Sequence, residues 1–448
     1  MNKILLAWAL IFIIIGGGIL LYGTGFNPLA WAVGQSSFKE PEYDPIPWDL
    51  LVIGYVFFGV MGTGISTYNS LYELFNKNHK DKNPFSSISL RNEWLALAVL
   101  IPGWIMVFSS VDKPGYVSEI FANFGNTFYS RMAWNGILYV LVGIAIIAEI
   151  ILLIYEERKK TSKTTTLVSL TIFAAGFAVL VELMLDANLG SLFGFLSAIT
   201  ANDFGYFMTI LFIILSFYGG IAAISFTTVI HNMFKKSISA PQATAKSVKA
   251  DPPAVAIADM YRTLARDGVI ATVALGFLVF WWAWILSTII PSTFKWANVV
   301  LFGAYSSVFW GGIVALAILL PLTLYGITYK KPNATSLITA SVVAVIGMFF
   351  TVTLMLVIPQ VIVWNNEVAP TTITPFTPPG SFWVYIYHTQ YQGLPMQNSL
   401  LPSIFNIGLY YDVVWFVGSV LLLLGLYPLG ALILPLEEGE EAKHWIFK

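Results

Sequence analysis

Ten runs of apolar residues, each long enough for a helix to cross a bilayer, divide this chain. A spanning helix needs roughly 20 predominantly apolar residues. Such runs fall at about residues 4–22, 48–75, 92–112, 130–155, 165–187, 203–233, 267–289, 296–325, 335–364 and 410–434. They predict an all-α polytopic membrane protein with about ten transmembrane helices. The charged fraction agrees: 10% of the 448 residues are charged, against about 25% in a soluble domain. The first run, followed by Ala30-Trp31-Ala32, resembles a signal peptide and its cleavage site; it is expected to be a retained helix.

The connections alternate in charge. The side holding the N-terminus carries 19 of the 23 Lys and Arg residues, and the other side only Lys39, Lys113, Arg131 and Lys295. Basic loops stay on the cytoplasmic side, so both termini are expected in the cytoplasm and the protein in the plasma membrane. Two long outer connections, 23–47 and 365–409, are of a length usually reserved for function or docking. The inner segment 234–266 is rich in Ala, Pro and Lys and reads as a linker.

Several function classes drop out. A net charge of −1 gives no reason to expect nucleic acid. Without cysteine the chain forms no disulfide and holds no iron–sulfur cluster by its own thiolates. Of His79, His231, His388 and His444, only His231 lies in an apolar run, at its end. An internal haem and a metal site are therefore not expected. No nucleotide loop or nucleophile triad is visible.

A short internal repeat divides the middle of the chain. Phe57-Phe58-Gly59 with Thr67 matches Phe217-Tyr218-Gly219 with Thr227, and Trp134-Asn135-Gly136-Ile137 matches Trp310-Gly311-Gly312-Ile313. Both matches run in one direction through the membrane, as in a parallel repeat. This predicts two four-helix bundles, helices 2–5 (48–190) and 6–9 (200–364). Residues 1–47 supply a flanking helix and outer loop, and 365–448 a long outer loop, a last helix and a tail. The acids and amides gather in helices 2–5, whereas helices 8 and 9 hold no ionisable group in their spans.

The candidate chemistry lies there. Asp112 and Arg131 sit where helices 3 and 4 meet water on the outer side, and charge at that depth marks a site or a pairing. They also read as a helix-end ion pair, with Pro114 as the stop signal. Tyr55, Tyr129, Trp134 and Asn135 are placed near the outer ends of helices 2 and 4. Their rings and amide suit a quinone headgroup, and equally the aromatic belt of any membrane protein. Gly59, Gly62 and Gly64 admit a neighbouring helix or a flat ligand. Glu182 and Asp186, four residues apart, share a helix face expected near the outer surface. They are candidates to pass protons between quinone and water, or else solvated helix-end acids. Glu149 and Glu73, with Asn69, are placed near the inner end. They extend a proton route inward or snorkel to the interface.

The pattern Tyr55-Val56-Phe57-Phe58-Gly59 with Gly62 and Gly64 resembles the NrfD / polysulfide reductase membrane-subunit family. So do Asp112-Lys113-Pro114, Ser130-Arg131-Met132-Ala133-Trp134 and Phe217-Tyr218-Gly219-Gly220. The resemblance covers roughly residues 48–364. It implies a quinone- or menaquinone-binding subunit of a respiratory oxidoreductase, not active alone and without haem or an iron–sulfur cluster of its own. The implied partners are a ferredoxin-like iron–sulfur subunit on the outer face and a molybdopterin catalytic subunit beyond it. By position, Tyr55, Asp112, Lys113, Arg131, Trp134 and Asn135 would surround the headgroup. Helix 5 departs from the family pattern, with Glu182 and Asp186 in place of a Thr-Gly pair. The loop 365–409 and helix 10 exceed the eight-helix core, as in relatives within alternative complex III. The rival readings are a secondary transporter with parallel repeats and a non-catalytic membrane anchor. Acids placed toward the helix ends speak against a transporter, whose polar groups belong at the midplane.

Overall fold

The computed structural model describes residues 3–20, 50–76, 85–109, 130–158, 165–195, 205–238, 252–288, 298–302, 305–368 and 409–434. Among them all regular structure is helical. The long helices are α1 (Lys3–Gly18), α2 (Leu50–Asn76), α3 (Ser89–Ser109), α4 (Arg131–Arg158) and α5 (Thr165–Phe195). They continue with α6 (Gly205–Ile238), α7 (Pro252–Thr288), α9 (Ala334–Val368) and α10 (Leu409–Ile433). Between the last two pairs, α8 is a π-helical stretch, Val308–Leu319, that runs into an α-helix, Leu320–Lys330. Nine of the described helices are long and apolar enough to cross a membrane; the apolar part of α1, Leu6–Gly18, is shorter. The chain is a multi-pass membrane protein.

Three boundaries differ from the sequence expectation in ways that move functional residues. Helix α3 begins at Ser89, so Arg91 lies within it and not in the preceding loop, and Arg91, Asn92 and Glu93 are fully buried rather than at a helix end. Helix α5 continues past residue 187 to Phe195, because Leu185, Leu189, Leu192 and Phe193 keep presenting one buried face. Helix α7 begins at Pro252, well before residue 267. Its first turns are amphipathic: Tyr261, Leu264 and Ala265 are buried while Arg262 and Asp259 are exposed. A hydropathy window averages such a face away.

Helix α2 is the hub. It packs against α3, α5, α6, α9 and α10, and 94% of its span is buried within the protein. Helices α2, α3, α4 and α5 contact one another in a closed ring, as do α6, α7, α8 and α9. The α2–α6 and α5–α6 contacts join the rings, and α1 packs on α10, which leans on α3. Elsewhere apolar side chains point outward, including Ile144, Ile147 and Ile151 of α4 and Phe173, Phe177 and Leu180 of α5. These surfaces suit lipid.

Lipid tails are as apolar as leucine, so membrane helices associate chiefly through close packing, hydrogen bonds and lipid entropy, and small residues at the crossings let backbones approach. The glycines of α2 serve that end in three directions. A Cβ on Gly64 would overlap the Ser216 backbone of α6, and one on Gly220 would overlap Gly64 in return. Gly62 faces Leu100 and the Ala96 carbonyl of α3, and Gly59 faces the Tyr139 hydroxyl of α4.

Gly220→Leu therefore forces α2 and α6 apart. We expect it to cost about 1–3 kcal/mol or more, the range for overpacked cores, seen as a lower unfolding midpoint in detergent. Gly176, whose Cβ would meet nothing within 4 Å, supplies the control. Gly176→Ala should leave the midpoint unchanged or raise it, since Gly costs a helix about 0.5–1 kcal/mol relative to Ala.

Candidate functional site

One face of α2 carries hydroxyls at helical spacing: Thr63, Ser66, Thr67 and Ser70. Each donates to a carboxyl brought by a neighbouring helix. Thr63 Oγ1 donates to Asp186 Oδ1 of α5 at 2.7 Å, and Thr67 Oγ1 to Glu182 Oε2 of the same helix at 2.7 Å. Ser66 Oγ donates to Glu93 Oε2 of α3 at 2.8 Å. Ser70 Oγ lies 3.0 Å from both carboxyl oxygens of Glu149 of α4. Asn69 Nδ2 completes the Glu93 carboxyl, donating to Oε1 at 2.8 Å. Asn92 Nδ2 donates in turn to Asn69 Oδ1 at 3.1 Å.

Glu93, Glu182 and Asp186 are wholly inaccessible, and Glu149 nearly so. From Thr63 to Ser70 the row runs about 10 Å along the helix axis at 1.5 Å per residue. Its members sense one another: Glu149 lies within electrostatic reach of Glu93, Glu73 and Glu182, and Glu182 within reach of Asp186. Two carboxyl oxygens, Glu182 Oε1 and Asp186 Oδ2, have no hydrogen-bond partner among the described residues. Among the described residues no three His, Asp or Glu side chains are grouped to hold an ion.

About 12 Å from Thr63 along α2, away from the Lys-rich connections, lies a second constellation. Asn135 of α4 donates through Nδ2 to the Tyr55 hydroxyl of α2. The Tyr55 and Tyr139 rings stand 5.2 Å apart, and the Tyr139 hydroxyl reaches the Tyr55 carbonyl at 3.4 Å. Tyr139 also lies within electrostatic reach of Asp186. Trp104 of α3 stands 6.2 Å from the Tyr139 ring. Asn135 Oδ1 and Trp104 Nε1 are buried and have no partner among the described residues.

Of the residues singled out in the sequence, Tyr55 and Asn135 are brought together directly. Trp134 is half-buried against the core. Arg131 is exposed, with Nη1 donating to the Ser191 carbonyl at 3.2 Å while Asn188 Nδ2 donates to the Arg131 carbonyl at 3.0 Å. It thus ties the start of α4 to the end of α5. Asp112 and Lys113 lie outside the described residues. Glu182 and Asp186 are not near the outer surface. The added turns of α5 place them in the interior, where they face α2. Glu149 joins them, and Glu73 is half-buried at the far end of α2.

Sequence reasoning missed Glu93, Tyr139, Thr63 and Ser70. The spacing of hydroxyls along α2 was a usable signal. It is a weak one, because Ser and Thr in apolar helices often bond their own backbone. Glu93 stands at the second residue of the expected span 92–112, where an acid reads as a helix-end group, whereas α3 begins a turn earlier at Ser89.

A family described as "Polysulphide reductase, NrfD" matches residues 39–364. Among curated proteins none matches the chain.

Removing the Glu93 carboxyl strands two buried donors, on Ser66 and Asn69. Each unsatisfied group costs about 1–3 kcal/mol, so Glu93→Leu should lower the unfolding midpoint well below that of Glu93→Gln, which keeps an acceptor. Equal midpoints for the two variants would show that these bonds hold little.

Proposed function

The chain belongs to the polysulphide reductase NrfD family of respiratory-complex membrane subunits, and from that premise we propose that it is the quinone-reactive subunit of its complex. The observation that carries the reading is a buried polar constellation, Tyr55–Asn135, whose Asn135 Oδ1 has no partner among the described residues, together with a buried row of carboxyls that begins about 12 Å further along α2.

The residues at the constellation fit a quinone. The Tyr55 hydroxyl accepts from Asn135, which leaves its own proton to donate to a carbonyl. Asn135 Oδ1, buried without a partner, accepts from a quinol hydroxyl, and Trp104 Nε1 is a further donor. When bound, a quinone supplies carriage of two electrons with two protons. The chain's own part is to hold the ring, exclude water and move protons. Tyr139 packs against Tyr55 and lies within electrostatic reach of Asp186. From Asp186 the row continues through Glu182 and Glu93 to Glu149, toward the Lys-rich end. The open oxygens Glu182 Oε1 and Asp186 Oδ2 are the atoms on which a proton or a bridging water attaches. Electrons arrive from or leave to an iron–sulfur subunit seated on the outer face, with a molybdopterin subunit or other respiratory partners beyond. The plasma membrane, with cytoplasmic termini, is the location this reading requires.

One observation favours a second reading. The acids were expected near the helix ends, which spoke against a transporter; instead Asp186 and Glu182 face the middle of α2. Proton-coupled transport by the chain alone is therefore the alternative.

The test uses the complex purified with its native partners and a short-chain quinol analogue. Tyr55→Phe and Asn135→Leu should each lower turnover about tenfold, the equivalent of about 1.4 kcal/mol for one hydrogen bond, with the complex still assembled. Unchanged turnover in both variants would sink the quinone assignment. Solute flux in liposomes holding this chain alone, without quinone, would establish the transporter.

A further inference from the structure

Away from the carboxyl row, on the outside of the α2–α6–α7 junction, the structure holds a pocket of about 490 Å³. Its walls are Leu71 and Phe75 of α2, Phe217 and Ile221 of α6, and Ile270 and Ala274 of α7. These positions fall within the apolar spans Leu50–Phe75, Phe207–Met233 and Ile257–Trp284, each long enough to cross a membrane, so an apolar pocket on their outside faces lipid. Small residues on α7 leave the room: between Ile270 and Ala274 the helix presents Ala271. Along α7 from Asp267 to Ala274 the groove runs about 10 Å.

Part of its wall is polar, where Asp267 of α7 meets Tyr68 and Tyr72 of α2. Asp267 Oδ2 accepts from the Tyr68 hydroxyl at 2.7 Å and the Tyr72 hydroxyl at 2.5 Å. Arg266 Nε donates to Asp267 Oδ1 at 2.8 Å, and Arg266 Nη2 to the Tyr72 hydroxyl at 3.0 Å. The two charges of the pair offset each other; Asp267 is largely shielded, its side chain 13% exposed, while the Arg266 side chain is 52% exposed. Two of the guanidinium's five N–H groups are used in these bonds, so three point elsewhere.

An apolar groove at membrane depth does not stay empty, because its lining would forfeit dispersion contacts. Water does not fill it either, for want of polar partners along the walls. A chain of methylenes does both. The remaining donors at the mouth match a phosphate, which guanidinium binds in bidentate fashion, and the flanking loops are basic. We propose that the α2–α6–α7 groove is a binding site for an anionic phospholipid, one acyl chain lying along Leu71, Ile221 and Ala274 and the phosphate on Arg266. The site is independent of the quinone reading. It seals the seam between the two rings of helices on their Lys-rich side.

The test uses the protein in its purified complex, reconstituted with phospholipids carrying a photoreactive diazirine in the acyl chain. Labelled peptides are mapped by mass spectrometry. Phosphatidylglycerol should label the segments around Leu71–Phe75 and Ile270–Ala274 about fivefold more than phosphatidylcholine, the factor one basic residue contributes to holding an anionic lipid. Arg266→Gln should bring phosphatidylglycerol down to the phosphatidylcholine level. Ala274→Trp should abolish groove labelling by both lipids, while labelling of the exposed face of α4 persists as the control for an intact fold. Equal labelling by the two lipids in the unaltered protein, or no response to Arg266→Gln, means ordinary lipid contact and overturns the proposal. Displacement of the phosphatidylglycerol label by an equal fraction of isoprenoid quinone overturns it as well, and would give the groove to a quinone tail.

Discussion

A carboxyl group taken out of water must find donors, and inside a membrane protein those donors must come from the protein itself. Everything about α2 follows from that requirement. Four acids from α3, α4 and α5 point inward, and the hydroxyls of Thr63, Ser66, Thr67 and Ser70 meet them one by one. Because the acids come from three different helices, α2 must stand at the centre with the others around it. The interior of the first ring is thus organised by hydrogen bonds as much as by packing. Acids held this way are expensive, and their retention in a membrane interior speaks for use.

The same helix has a second face with a different task. Where the hydroxyl face binds acids, the glycine face lets α6 approach until the two backbones touch at Gly64 and Gly220. The two tasks coexist because helical spacing separates them around the axis. A bulky residue at Gly64 would push α6 away, and an apolar residue at Thr63, its neighbour in sequence, would leave α6 in place and strip a donor from Asp186.

The second ring shows what hydroxyls do when no acid faces them. Thr227 of α6 donates to the Ala223 carbonyl, Ser341 of α9 to Leu337, and Thr351 to Gly347, each one turn back on its own helix. Those hydroxyls are satisfied on their own helix and reach no carboxyl. The repeat seen in the sequence pairs Thr67 with Thr227, but only the first of these reaches across to a carboxyl. Residues alike in sequence therefore differ in work, and the difference lies in what the neighbouring helix presents.

The long apolar runs, the gathering of acids in helices 2–5, the Gly-rich face of α2 and the family motifs were all legible in the chain. They are local properties: hydropathy over a window, and residue type at helical spacing. Tyr55 and Asn135 could be named as candidates, since both sit in apolar surroundings with polar tips. What could not be read was partnership. Glu182 and Asp186 look like helix-end acids until α5 is seen to continue to Phe195, and so does Glu93 until α3 is seen to begin at Ser89. Hydropathy determined that this chain crosses a membrane many times and where its polar residues are concentrated. Only the tertiary structure decided which hydroxyl serves which acid, because hydrogen bonds between helices depend on register and rotation, and neither is written within a single helix.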